Sequence, residues 1–122
     1  MIVSLCDKVS MVSDPEAIIK RPKDLYHVYL MASIMEFSIE EFIAVWKRRG
    51  RKFTSPPALL QAETIATMEE WYHRRFVIRD IVSFQEVHSK AVRFLEPILV
   101  TLAEVRDTSN LNWNIDEGWR EE

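Results

Sequence analysis

Glycine is nearly missing from this sequence. Gly50 and Gly118 are the only two in 122 residues, where average usage of about 7% would supply roughly eight or nine. Two glycines so far apart write neither a G-x-G-x-x-G dinucleotide fingerprint nor a G-x-x-x-x-G-K-[ST] phosphate loop, and the G-x-S-x-G nucleophile elbow is excluded with them. Tight two-residue hairpins draw on glycine at positive φ, so the shortage also argues against a hairpin-rich fold. Cysteine is scarcer still. Cys6 alone closes no intramolecular disulfide and rules out a Cys-rich zinc site, a usage that suits a reducing, cytoplasmic setting. Long hydrophobic runs are lacking too. Ile98-Leu99-Val100, continued by Leu102 and Ala103, falls far short of the ~20 apolar residues that span a bilayer. Asp7 and Lys8 interrupt the first apolar stretch and spoil it as a signal-peptide core. The expectation is a cytoplasmic protein without a membrane segment.

Apolar residues in helical rhythm are abundant. Leu, Ile, Val and Phe make up 37 of the 122 positions, enough for a packed core and far above the level of disordered chains. The length is that of one domain, read as residues 1–107 with an acidic, Trp-containing tail over 108–122. Ile2, Leu5, Cys6, Val9 and Val12 mark a first amphipathic helix. Ser13-Asp14-Pro15-Glu16 is a restart signal, with a capping residue, proline in the first turn and an acid near the helix N-terminus. Residues 23–49 carry Leu25, Val28, Ala32, Met35, Ile39, Phe42 and Trp46 in register, with Tyr26, Leu30, Ile34 and Phe37 widening the apolar face; such a segment is central. Ser38-Ile39-Glu40-Glu41 has capping-box form and allows two helices there. Ser55-Pro56-Pro57 caps and starts the next helix, the β-branched-rich stretch 76–84 is read as helix with a strand as the alternative, and Ser83 to Glu86 is a second capping box. Pro97 is expected to kink or split the last helix. The fold expected is an all-α compact bundle of four to six helices. The broad apolar face of 25–46 adds the expectation of a homodimer.

Three constellations could carry chemistry. The first is Lys47-Arg48-Arg49-Gly50-Arg51-Lys52, with Arg74, Arg75 and Arg79 further on. Clustered bases neutralise backbone phosphates and release counterions, and Trp46 or Phe53 could stack on a base. The plainer alternative is that bases in a last helical turn complement the dipole and glycine ends the helix. The second is the tail, where Trp113 and Trp119 stand among Asp116, Glu117, Glu121 and Glu122. Aromatic anchors flanked by acids suit partner docking, unless the chain folds back on itself, and the acidic tail could cover the basic run. The third is the acid-x-x-His spacing of Asp24…His27 and Glu70…His73, which puts both ligands on one helix face as in di-iron carboxylate bundles. Those sites need further inward glutamates that no spacing here demands, so no metal or cofactor is expected. Arg79-Asp80-Ile81-Val82-Ser83-Phe84 resembles the Arg-x4–6-His ribonuclease signature of the small helical HEPN domains in its arginine. Phe84, Gln85 and Glu86 occupy the places where that histidine would fall.

The function expected is therefore non-enzymatic: a small helical interaction or regulatory protein working through protein–protein contacts and self-association. The alternative is a nucleic-acid-binding protein using the 47–52 run despite a net charge of −3.

Overall fold

The computed structural model describes residues 1–75, 82–104 and 110–121, Arg75 through its backbone only. The 76–84 expectation, apart from its last three residues, and Arg79 with it lie outside the described residues. Within them the chain forms six α-helices, one 3-10 turn and three short strands. The first helix, α1 (Ile2–Ser13), buries Leu5, Cys6, Val9 and Val12, the stripe that a spacing of three and four residues creates. Asp14 ends it and caps α2 (Pro15–Lys20): its Oδ1 accepts from the backbone N–H groups of Glu16 at 2.9 Å and Ala17 at 3.4 Å, with Pro15 in the first turn, where its missing N–H costs nothing.

The central 23–49 stretch divides in two. α3 (Lys23–Met31) gives way to a turn, then to strand β1 (Phe37–Ser38), then to α4 (Ile39–Arg49). Ser38 caps α4, its Oγ accepting from Glu41 N at 3.0 Å, and Gly50 closes it in the left-handed region at φ 64°. α3 packs on α1, and α1 in turn packs on α4. A loop then leads to a 3-10 turn (Ala58–Leu60) and α5 (Ala62–Arg75). Ser55-Pro56-Pro57 therefore introduces a single tight turn rather than the long helix expected there; α5 begins only after Gln61. Ser83 caps α6 (Phe84–Glu104), accepting from Glu86 N at 3.1 Å. α6 lies against α3 and runs unbroken through Pro97, so the expected split does not occur. No helix among the described residues is long and apolar enough to cross a membrane.

The pure all-α expectation needs correction: the protein is mainly helical with a small antiparallel sheet ordered β1-β2-β3. The residues read as an acidic tail form β2 (Leu111–Asn114) and β3 (Gly118–Glu121). Asn114 builds the turn between them, its Oδ1 accepting from Asp116 N and Glu117 N, and Gly118 at φ 78° returns the chain. β2 also pairs with β1, so Phe37 stands opposite Trp113 and Trp113 opposite Trp119. Directly opposed residues share a sheet face, and this row of rings packs onto Phe94 of α6. Ring centroids lie 5.8 Å from Phe94 for Phe37 and 4.7 Å for Trp113. Burial of that aromatic row holds the hairpin down.

Candidate functional site

The basic run forms a corner where α4 ends beside α1. Lys47, Arg48 and Arg49 fill the last helical turn, Gly50 reverses the chain, and Arg51 and Lys52 follow; all five bases are exposed. The side chain that organises them is Asp7 of α1. Arg49 Nη2 donates to both its carboxylate oxygens at 2.9 and 3.0 Å, and Arg51 Nε donates to Oδ1 at 2.8 Å. The left-handed Gly50 makes this clasp geometrically available, because it turns the chain between the two arginines. Partial burial pushes the Asp7 carboxyl up, but the hydrogen bonds and charges of Arg49 and Arg51 outweigh it and hold the group below its ordinary value.

Two serines of α1 fix the loop that follows. Ser10 Oγ donates to the Lys52 carbonyl at 2.8 Å, and Ser13 Oγ accepts from Thr54 N at 3.3 Å while donating to the Ser10 carbonyl. Lys47, Arg48 and Lys52 form no ion pair among the described residues. The corner thus sets five cations against one carboxylate within a chain of net negative charge. Trp46 is half-buried and stacks on Phe42 at 5.8 Å, and half-buried Phe53 packs against the core.

The remaining candidates are placed elsewhere. Arg74 sits on α5 and pairs with Glu70 at 2.7 Å. Arg75 is on the same helix, its side chain undescribed. Trp113 is 4% exposed, and its indole N–H donates to the Ala32 carbonyl at 2.9 Å. Trp119 is half-buried, with its N–H on the Phe94 carbonyl at 2.9 Å. Both rings are therefore engaged inside the molecule. Among the described residues no acid of the tail pairs with the basic run; within the hairpin, Glu117 pairs with Arg120 at 2.7 Å.

Of the two acid-x-x-His pairs, Asp24 lies wholly buried in the first turn of α3. Two cations and an imidazole surround it: Lys8 Nζ at 2.6 Å, Arg21 Nε at 3.6 Å and His27 Nδ1 at 3.6 Å. That arrangement is an ion-pair knot between α1 and α3. His73 approaches Glu69, at 3.9 Å, while Glu70 turns to Arg74. Among the described residues no group of three His, Cys, Asp or Glu side chains is placed to hold a metal.

A second surface was not anticipated in the sequence. An open groove of about 480 Å³ runs between the 3-10 turn with α5 and the flank of α6. Apolar Leu60, Ile65 and Val92 line it together with polar His88, Ser89, Arg93 and Glu96. Leu60 remains 47% exposed. His88 is braced there, Nε2 lying 2.8 Å from the Leu59 carbonyl and its ring stacked on Phe84. The only sequence trace of the groove is Leu60 following a Leu59 that the core already uses.

Comparison with protein-family models, with curated proteins and with solved structures finds no match to this chain.

Proposed function

We propose that this protein is a non-enzymatic binding module that recognises a protein partner through the groove between α5 and α6. The observation that carries the reading is an open groove lined by exposed Leu60, half-buried Ile65 and Val92, and the polar side chains of His88, Arg93 and Glu96. Grooves of this make-up accept the apolar anchors of a helix or extended segment, with rim charges setting orientation. A lone thiol and a helical interior fit a cytoplasmic place of work. The test is recovery of bound protein from the native host by wild type and by a Leu60→Glu, Val92→Glu variant, each with nuclease treatment. The reading expects a partner retained after nuclease and lost with the variant. Equal retention by both proteins would refute it.

The basic corner supports a second reading, nucleic-acid binding through Lys47, Arg48, Arg49, Arg51 and Lys52. Its support is the exposure of all five bases together with the absence of ion-pair partners for Lys47, Arg48 and Lys52 among the described residues. Phosphate polymers bind such surfaces by counterion release.

A further inference from the structure

Arg49 and Arg51 are exposed but not free. One carboxylate, Asp7, accepts three hydrogen bonds from them, two from Arg49 Nη2 and one from Arg51 Nε. A phosphodiester offers two anionic oxygens to the same kind of guanidinium donors, and such charge-assisted contacts are the strongest these side chains make. The clasp sits at the surface, with the three side chains between 32% and 45% exposed. Solvated pairs of this kind are held weakly, so an incoming anion can displace the carboxylate. Lys47, Arg48 and Lys52 stand beside the clasp, exposed and in no ion pair among the described residues. They supply the first attraction. A densely charged polymer suits this row of five cations in six residues better than a sparse acidic peptide does.

We propose that Asp7 occupies, in the free protein, the place that a backbone phosphate of a nucleic acid takes at the basic corner, so that it masks Arg49 and Arg51 until the phosphate displaces it. The proposal rests on the nucleic-acid reading above and adds to it an internal competitor. Asp7 keeps the two guanidinium groups gathered and lowers the corner's resting affinity. Contact is made through phosphate, so the binding is not selective for base sequence.

The experiment is a fluorescence anisotropy titration of a short labelled single-stranded oligonucleotide across a salt series. It compares wild type, Asp7→Asn, Arg49→Gln with Arg51→Gln, and the triple variant. Asp7→Asn is expected to bind several-fold tighter, on the order of fivefold for released surface pairs. Bound wild type and Asp7→Asn make the same phosphate contacts, so their plots of log affinity against log salt should share one slope, whereas Arg49→Gln with Arg51→Gln should flatten it by about 1.4, at ~0.7 for each arginine lost from phosphate. In the background lacking both arginines, the same Asp7 change should give no gain. Asp7→Ser, which removes the same charge, must reproduce the effect. If Asp7→Asn binds no tighter, or if its gain persists without the arginines, masking is refuted while nucleic-acid binding stands. If neither wild type nor Asp7→Asn binds the oligonucleotide, or if polyglutamate of equal charge displaces it equally well, the nucleic-acid reading falls and the proposal with it.

Discussion

Asp24 and Cys6 show what burial does to single ionisable side chains. Asp24 is fully enclosed, whereas its nearest partner Lys8 keeps 17% of its side chain in solvent. Removing the lysine strands a charge in the interior; removing the acid leaves an ammonium that can still reach water. Lys8→Met should therefore destabilise the fold by about 3–5 kcal/mol, and by more than Asp24→Asn, as read from urea unfolding midpoints. The reverse order would show that Arg21 and His27 alone satisfy the carboxylate. Cys6 is buried beneath Phe42, and burial, reinforced by the negative charge of Asp7, pushes its thiol up to about 11. The native state thus keeps a proton that the unfolded chain releases earlier. The thiol's contribution is complete below its ordinary value and is lost as pH rises toward about 11. Modification of native Cys6 by a disulfide reagent at pH 8 should be slow and should accelerate sharply in urea. Fast native labelling would contradict the burial.

Among the elements, the hairpin of β2 and β3 departs furthest from the sequence expectation. Its alternation was written in the chain: Leu111, Trp113 and Ile115 alternate with Asn112 and Asn114, a strand rhythm of period two. The acids around it, and the scarcity of glycine, concealed that one hairpin needs only one glycine at positive φ. Trp113→Ala should cost about 3–5 kcal/mol through the cavity left against Phe94 and Phe37, measured by denaturant unfolding. Gly118→Ala should cost about 1–2 kcal/mol from the left-handed backbone alone, since an added Cβ meets nothing nearer than a Trp113 ring carbon at 3.7 Å. The helices, by contrast, were legible because their signals are local. Asp14, Ser38 and Ser83 each cap the helix that follows them, and Gly50 ends α4 as its position after three bases implied.

For the molecule as a whole, self-association is the open expectation. The broad apolar face read over 25–46 is partly absorbed by the core: Phe37 and Met35 are buried, while Leu30 near the end of α3 stays 42% and Ile34 in the turn after it 59% exposed. A second copy covering these side chains would remove them from water at a gain of about 25 cal/mol per Å². Solution mass at micromolar concentration should then read twice 14.4 kDa, and Ile34→Glu should return it to one chain. A wild-type mass of a single chain would dismiss the homodimer. The charge distribution has the same global character. A chain of net charge −3 gathers five of its bases at one corner, and that separation, rather than the net value, governs which polyanions it can meet.

Composition, stripe and cap by themselves determined where most helices of this protein begin and end, because a helix closes its hydrogen bonds within four residues and its caps within three. They also located the basic run. Only the tertiary structure decided what that run faces. Asp7 is 42 residues from Arg49 and meets it because α1 and α4 pack together, a contact set by the buried stripes of both helices. The same holds for the sheet, where strand β1 of two residues has no identity until β2 pairs with it, and for the two tryptophans, whose burial depends on α6 lying beneath the hairpin. Pairing and burial between distant segments follow from how the apolar faces close on one another, and no local pattern encodes that closure.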